Sequence, residues 1–408
     1  MDFRGGGPTR RHQPQPAGGV SAGSEGLLAL SASLARALAD KHANSNLVFS
    51  PLSIYTALAL VAAGARGATL DEILRVLGVP SRGELDAFVA RAAGAALQDQ
   101  SGSGGPRVAF ACGVWSDMAC PLKPAFRKAV VDGPYGAKAS TVDFRGDPEG
   151  SRQLINAWAA RATNNLIESV LGRNSVSELT RVVLGNAVYF KGKWDQPFHE
   201  SDTSDAPFRR AGGAGAVDVP FMQSWKRQFV AVHDGFKVLK LEYKMGEVRA
   251  RPRPPSTQFS MCIFLPDADD GLRSLVDAIA SRPCFLHEHL PTEKVDVGEF
   301  RVPRFKLSFH DSVVGVSQQA GPPPADDRSG LPLVLSEVVH KAVIEVNEEG
   351  TRAAAVTMCL MQEGCAARPR QPPPVVDFVA DHPFAYFIVD EGTGAVVFAG
   401  HVLDPSKQ

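Results

Sequence analysis

The stretch NEEGTRAAAVTMCLMQEGC, residues 347–365, decides the fold of this chain. It follows a predicted strand at 339–346, its residues are mostly small, and between Gly350 and Gln362 its only charge is Arg352. In an extended strand, side chains alternate between the two faces. One face would carry only uncharged residues, namely Thr351, Ala353, Ala355, Thr357, Cys359 and Met361. Such a segment can be a loop in one state and an inner strand of a sheet in another; an ordinary loop with a helix-prone alanine run is the alternative.

The pattern around this stretch predicts an α+β fold. The predicted helices span 26–41, 51–63, 69–98, 124–131 and 147–163. The predicted strands span 108–116, 181–191, 228–232, 236–241, 258–265, 295–300, 305–309, 339–346, 386–389 and 395–402. Residues 1–24 are rich in Gly, Pro, Gln and Ser, which predicts a disordered N-terminal extension. We expect one domain at 25–408, with exposed loops at 249–256, 320–330 and 366–374.

Composition and charge exclude several classes of partner. The 408 residues carry a formal net charge of −1, which indicates neither nucleic acid nor a membrane surface as partner. The N-terminus has no apolar run of the secretory kind, and the apolar stretch 52–65 is too short to span a bilayer. We therefore expect a soluble cytoplasmic or nucleocytoplasmic protein, with extracellular release left open. Its six scattered cysteines are expected to be free thiols, with a functional role left open for Cys359 or Cys365.

Catalytic motifs are absent from the sequence. It contains no HExxH, P-loop or GxGxxG motif, and its one GxSxG match, Gly19 to Gly23, lies in the Gly-rich N-terminal stretch and does not follow a predicted strand. The run His287-Glu288-His289 lacks further ligands at a matching spacing, so a solvated surface turn is a better interpretation than a metal site. We therefore expect no enzymatic activity, no cofactor and no metal.

Several sequence segments between residues 44 and 401 resemble segments of the serpin family and occur in the same order along the chain. Their residues are most similar to those of the family's plant intracellular group. They are NSNLVFSPLSI at 44–54, GARGAT at 64–69, LGNAVYFKGKW at 184–194, VDVPFM at 217–222, FRVPRF at 300–305, NEEGT at 347–351, and FVADHPF at 378–384 followed by Gly400-His401. The resemblance implies the serpin fold, which has a large mixed β-sheet with helices around it, smaller sheets and an exposed reactive-centre loop, here at about 350–374.

The resemblance also assigns roles to particular residues. The hinge before the reactive-centre loop corresponds to Glu348, Glu349, Gly350, Thr351, Ala353, Ala354 and Ala355. The family's shutter, a set of polar groups beneath the sheet, corresponds to Ser50, Ser53, Asn186 and His340. The hydrogen bonds of the shutter rearrange when the sheet opens. Trp194 matches the family's tryptophan near the top of the sheet, where a core role and a switching role are both open.

A suicide mechanism of protease inhibition follows from the resemblance. A target serine or cysteine protease attacks the loop and forms a covalent acyl-enzyme, after which the cut loop inserts into the main sheet from Gly350 onward. Counting about sixteen residues from Glu348 places the reactive bond at Gly364-Cys365, with Arg368 or Arg370 as alternatives and no productive cut as a third possibility. We expect this protein to act as a monomer.

Three departures from the family pattern bear on this expectation. Arg352 is a charge within the hinge, but the alternation places it on the face that can stay solvated. Ala385 replaces a larger apolar residue, which is a minor change. Between Phe309 and Leu333 a proline-containing segment stands where the family has a helix and a longer connection. This shortening favours the alternative function, a non-inhibitory serpin-fold binding or storage protein whose loop is only a substrate.

Overall fold

The computed structural model describes residues 22–246, 258–312, 337–350 and 375–407. Its helices are α1 Ala22–Lys41, α2 Pro51–Gly64, α3 Gly67–Val76, α4 Arg82–Ala96, α5 Pro124–Asp132, α6 Pro148–Ala162, α7 Leu272–Ser281 and α8 Phe285–Glu288. Its strands are β1 Leu47–Phe49, β2 Arg107–Asp117, β3 Lys138–Val142, β4 Val182–Lys191, β5 Ser204–Arg209, β6 Ala216–Gln223, β7 Gln228–His233, β8 Phe236–Glu242, β9 Phe259–Pro266, β10 Lys294–Val295, β11 Val297–Pro303, β12 Phe305–Ser312, β13 Glu337–Val346, β14 Val376–Val379, β15 Phe384–Asp390 and β16 Ala395–Val402.

The predicted mixed sheet is present, with the strand order β12-β13-β4-β2-β3. β4 and β13 are parallel neighbours, and Val183–Tyr189 lies opposite Glu337–Val343. β12 is antiparallel to β13, and β2 is antiparallel to β4. Parallel pairing is slightly less stable per residue than antiparallel pairing, so the β4–β13 junction, like the parallel β2–β3 pair at the sheet edge, is less stable per residue than its antiparallel neighbours. We call this junction the seam.

Both faces of β4 are covered, which explains its unbroken apolar sequence. Leu184 and Val188 belong to the main core, which includes residues of α1, α2 and the antiparallel sheet. Val183 and Ala187 face the other way, into a smaller core that includes Ile155 of α6. A strand that is buried on two sides needs side chains that fit both cores, and this requirement makes β4 one of the clearest strands in the sequence.

Two further sheets complete the β-structure of the described residues. One is a seven-stranded antiparallel sheet with the order β1-β16-β15-β9-β8-β7-β10. The other has the order β14-β11-β6-β5, in which β14 lies parallel to β11 at one edge. The combination of these sheets with α1–α8 confirms the α+β expectation.

Several predicted boundaries differ from the structure. The helical region at 69–98 is two helices, α3 and α4, and α3 begins at Gly67, so Thr69 lies inside the helix and does not cap it. Arg66 is extended, with φ −143° and ψ 161°, and the helix starts immediately after it. The short strands β3, β5 and β14 have partly exposed sequences, and only their pairing with neighbouring strands reveals them.

The N-terminal helix begins earlier than predicted, whereas the described cysteines agree with the expectation of free thiols. α1 begins at Ala22, so residues 22–24 of the predicted disordered extension are helical. Residues 1–21 lie outside the described residues, and the division into extension and domain stays a prediction. Cys112, Cys120, Cys262 and Cys284 are free thiols. Burial raises the pKa of the Cys112 thiol to about 12, so this thiol is unreactive. Cys359 and Cys365 lie outside the described residues.

Ala385, which replaces a larger apolar residue of the family pattern, is buried on β15. It lines a small cavity between α1, α7 and β16, together with Ala35, Ile279 and His401. The segment between Phe309 and Leu333 lies outside the described residues beyond Ser312.

Candidate functional site

The predicted shutter residues meet beneath the seam. Asn186 lies on β4 directly opposite His340 on β13, so the pair spans the seam. Ser50 and Ser53 lie at the start of α2, under the same point of the sheet. Pro51 is the first residue of α2, and the Ser50 hydroxyl caps the helix by accepting from the Ser53 N–H at 3.3 Å. All four shutter residues are buried.

Asn186 ties the seam to α2 through both ends of its amide. Its Nδ2 donates to the Ser53 carbonyl at 2.7 Å, and its Oδ1 accepts from the Ser53 hydroxyl. Leaving a buried polar group without a partner costs about 1–3 kcal/mol. Movement of β4 relative to α2 therefore has to exchange these hydrogen bonds for others.

His340 has its ring orientation and tautomer set by its partners. Its Nε2 accepts from the Ser50 backbone N–H at 3.0 Å, so Nε2 carries no proton. The remaining proton is on Nδ1, which faces Asn186 Oδ1 at 3.4 Å. The neutral ring thus links α2, β13 and β4, and opening the seam separates His340 from Asn186.

The hinge begins at the top of the seam. The chain leaves β13 at Val346 and turns back at once, because the Asn347 N–H donates to the Gly350 carbonyl at 2.8 Å and the Gly350 N–H donates to the Asn347 carbonyl at 3.1 Å. Gly350 also forms an isolated bridge with Lys193, which follows the end of β4. The loop therefore departs directly above the junction of the two parallel strands.

Gly350 is required by this turn. Its φ is +127°, in the region that favours glycine. A Cβ at this position would lie 2.2 Å from the Gly192 carbonyl oxygen, 2.6 Å from the Lys193 Cα and 2.7 Å from the Trp194 nitrogen. The backbone of the segment after β4 therefore approaches residue 350 too closely for any side chain.

Glu348 is a buried carboxylate with two partners. It accepts from the Thr203 hydroxyl at 2.7 Å and forms an ion pair with Arg304 at 3.4 Å, and its side chain is only 5% exposed. Its carbonyl accepts from the Phe198 N–H at 2.8 Å. These contacts anchor the hinge to the segment after β4 and to the turn between β11 and β12. Burial of the charge is tolerable because it is paired and hydrogen-bonded.

Trp194 touches the hinge and the core at the same time. Its Nε1 donates to the Asn347 carbonyl at 2.9 Å, and its backbone N–H donates to the Glu349 carbonyl at 2.8 Å. Its ring stacks on Tyr243 with centroids 4.5 Å apart. Trp194 therefore packs in the core and also binds the hinge backbone, and the switching role stays a prediction.

The structure brings the four shutter residues together beneath the seam, and it separately brings Trp194 and the start of the hinge, Glu348 to Gly350, together at the top of the seam. Further predicted site residues lie outside the described residues: Thr351, Ala353, Ala354, Ala355, Gly364, Cys365, Arg368 and Arg370. The sequence analysis missed Thr203 and Arg304. A buried glutamate requires partners, but nothing in the spacing of Thr203, Arg304 and Glu348 along the chain reveals that they meet.

The His287-Glu288-His289 run is not the solvated turn that the sequence suggested. His287 and Glu288 belong to α8, and His289 follows it and is half-buried. The His289 ring stacks on Phe285 with centroids 4.0 Å apart, because α8 packs the run against the protein. Among the described residues, no group of three or more His, Cys, Asp or Glu side chains could hold a metal ion. None of the helices in the described ranges has the length and apolar character to cross a membrane.

A mixed sheet with a parallel seam, a polar cluster beneath it and a loop hinged at its top is the architecture of the serpins. The chain belongs to that family, since residues 25–405 match the family model "Serpin (serine protease inhibitor)". It is 53% identical to "Putative serpin-Z8" of Oryza sativa subsp. japonica over 98% of both chains. It is 46% identical to "Serpin-Z2A" of the same organism, over 94% of this chain and 97% of the relative.

Solved structures show the same fold. The structure of Arabidopsis AtSerpin1 in its native stressed conformation has a TM-score of 0.84 and 37% identity, covering 96% of this chain and 100% of that one. Uncleaved ovalbumin has a TM-score of 0.73 and 25% identity, covering 95% and 100%. The fold class and the family resemblance expected from the sequence are thus confirmed.

Proposed function

We propose that this serpin inhibits a serine or cysteine protease by a suicide mechanism, in which the cleaved reactive-centre loop inserts into the seam between β4 and β13. One observation carries the proposal: the hinge turns at Gly350 directly above the seam. A strand that continues from this turn would run antiparallel to both β13 and β4. Insertion would replace one parallel ladder with two antiparallel ladders, which are the more stable kind.

The covalent chemistry belongs to the protease. Its serine hydroxyl or cysteine thiol attacks the carbonyl of the reactive bond, forms an ester or thioester with the loop and releases the new amino terminus. Insertion then carries the tethered protease away from the hinge before water can attack the acyl bond. We place the reactive bond at Gly364-Cys365, with Arg368 and Arg370 as alternative sites of attack.

The hinge and shutter contacts support the inserting step. Before cleavage, Glu348, Gly350 and Trp194 hold the hinge in its turn, and Asn186 and His340 hold the seam closed. Each contact is a hydrogen bond or a close approach that can be broken singly. They form a barrier that keeps the closed sheet in place until the loop is cut.

The direct test is incubation with a panel of serine and cysteine proteases, followed by denaturing electrophoresis. We expect an SDS-stable complex with at least one protease, and mass spectrometry should identify a C-terminal fragment that begins at Cys365. A fragment that begins after Arg368 or Arg370 would move the reactive bond. Clean loop cleavage without a complex, by every protease in the panel, would reject inhibition and favour the binding or storage function, which the short segment between β12 and β13 also favours.

A matched pair of variants tests insertion itself. By the two-residue alternation, Ala353 faces into the sheet after insertion, and Ala354 shares the solvated face with Arg352. A353R should therefore block insertion, because burial of an unpaired arginine charge costs a large amount of free energy. The variant should then be cleaved as a substrate without forming the complex. A354R places the same charge one residue away and should still form the complex. Equal behaviour of the two variants would contradict the proposed insertion.

The remaining expectations belong to the same proposal. A protein that works in this way acts as a monomer and has no catalytic activity, cofactor or metal of its own. We propose that it acts in the cytoplasm or nucleocytoplasm, with extracellular release left open. Imaging of a fluorescent fusion in plant cells tests the location, and a secreted pool as the main fraction would contradict it.

A further inference from the structure

Four cationic residues lie side by side at the top of the mixed sheet. Arg107 begins β2 and lies directly opposite Lys191, the last residue of β4. Lys193 follows two residues later, and the Lys244 N–H donates to its carbonyl at 2.6 Å. Lys193 and Lys244 are exposed, and Arg107 and Lys191 are half-buried. Adjacent backbones thus bring four positive residues into one small region, which we call the cationic patch.

Strand alternation places the side chains of the patch on the outer face of the sheet. Phe190 and Trp194, which alternate with the two lysines at the end of β4, are buried in the main core. Tyr243, which precedes the third lysine, stacks on Trp194, and Val108, which follows the arginine, is buried in the same core. The four cations alternate with these buried residues, so they face away from the core.

The carboxylates of the surrounding strands do not neutralise the patch. Glu345 pairs with Lys306 at 4.0 Å, and Glu348 pairs with Arg304 at 3.4 Å. Glu242 lies 3.8 Å from a lysine of its own strand, outside the patch. Within the described ranges, none of the four cations forms an ion pair. The patch is therefore a local excess of positive charge on a chain whose formal net charge is −1.

The patch conflicts with the ordinary pairing rule of antiparallel strands. Like charges directly opposite each other on neighbouring strands are destabilising. Arg107 and Lys191 are such a pair, with Cα atoms about 5 Å apart, and Lys193 and Lys244 bring two more cations beside it. Natural proteins depart from local rules of this kind mainly at functional sites. An anion from outside the chain would remove the repulsion.

We propose that the cationic patch binds a small anion that carries several phosphate groups. Neighbouring strands are about 4.8 Å apart, and two residues along a strand span about 6.6 Å, so the patch is about 10 Å across. A guanidinium can hold a phosphate with two hydrogen bonds, and the lysines contribute point charges. A nucleic acid strand needs about 6–10 phosphate contacts for useful affinity, which is more than four cations supply. This binding function does not depend on protease inhibition.

A bound anion would also act on the backbone that holds the hinge. Lys193 forms the bridge with Gly350, and the Trp194 N–H donates to the Glu349 carbonyl at 2.8 Å. An anion held by the patch connects β2, the end of β4 and the segment after β8. It should therefore stabilise the closed form and slow hydrogen exchange at the Trp194 N–H.

The first test is calorimetric titration of the whole protein with inorganic tripolyphosphate at low ionic strength, where surface charges are least screened. We expect saturable binding of one anion per chain. R107Q/K191Q should weaken it by about tenfold or more, because two charge-assisted contacts are lost. R127Q/K128Q removes the same two charges from exposed positions on α5 and should match wild type. Equal loss in both double variants, or no saturable binding by wild type, would overturn the proposal.

The second test compares thermal unfolding with and without tripolyphosphate. At about 100 times the Kd, the unfolding midpoint of wild type should rise by about 3 °C. R107E replaces the repulsive pair with an attractive one, so without the anion this variant should melt slightly above wild type. With the anion, its midpoint should not rise further. A rise in R107E equal to that in wild type would show that the anion binds elsewhere.

Two competing anions test the chemical class of the ligand. Citrate offers several carboxylates, and it should bind more weakly than tripolyphosphate at the same ionic strength. Citrate binding of equal affinity would show that charge alone is recognised and would reject a phosphate site. A single-stranded oligodeoxythymidylate that binds more tightly than tripolyphosphate would reject the small-anion assignment in favour of nucleic acid. None of these measurements uses a protease, so they decide the proposal whether or not this chain is an inhibitor.

Discussion

Substitution of Gly350 by alanine should shift the protein toward loop insertion. In the closed state the new Cβ would lie 2.2–2.7 Å from backbone atoms of Gly192, Lys193 and Trp194, and φ is +127°. A residue held in such a region costs about 1–3 kcal/mol. In the inserted state residue 350 joins a strand, where alanine is about 0.5–1 kcal/mol better than glycine. The two effects add to about 1.5–4 kcal/mol in favour of insertion.

Two measurements check this shift. The unfolding midpoint of the closed form should fall by about 2 °C or more, given the entropy of unfolding of a chain of this size. Spontaneous inactivation, in which uncut protein loses its ability to form the complex, should accelerate by about tenfold or more. Each 1.4 kcal/mol is a factor of ten, and only part of the free-energy change lowers the activation barrier. Trp194 fluorescence should report the loss of the turn, because its indole N–H binds the Asn347 carbonyl.

G215A is the matched control. Gly215 has φ +76°, but a Cβ there meets nothing within 4 Å, so this variant has the backbone strain without the contacts of the hinge. It should lower the midpoint slightly and leave the inactivation rate unchanged. If G350A melts and inactivates like wild type, the hinge turn does not hold the loop out of the seam, and the reasoning is refuted.

Three further predictions concern single groups. N186A removes two hydrogen bonds to Ser53 and should lower stability by about 3 kcal/mol and speed inactivation; denaturant unfolding that matches wild type would contradict the shutter role. T203V removes the hydroxyl donor of buried Glu348 and should cost about 1–3 kcal/mol, whereas an unchanged midpoint would mean that Glu348 finds another donor. Burial lowers the pKa of His401 to about 4, so stability should fall as the pH drops from 6.5 to about 4, by about 3 kcal/mol, and H401Q should remove that slope in acid unfolding curves.

Much of the candidate site could be predicted from the sequence, for identifiable reasons. The candidate hinge was assigned from the resemblance to the family at residues 347–351. The small uncharged residues that follow Gly350 agree with that assignment, although by themselves they also fit an ordinary loop. Ser50 could be placed at the start of α2 because Ser-Pro has local capping chemistry. The partners of Glu348 could not be predicted. Thr203 and Arg304 reach Glu348 from distant parts of the chain.

The sequence alone determined the α+β composition and the family, and the resemblance to that family supplied the candidate hinge and shutter residues. These properties depend on local patterns, because alternation, capping and motif order are read along the chain. Only the tertiary structure decided that β4 and β13 are parallel neighbours, that Gly350 turns directly above their junction, and that Thr203 and Arg304 contact buried Glu348. The reason is physical: strand pairing and the environment of a buried charge are set by groups far apart in the chain, which meet only when the whole core has formed.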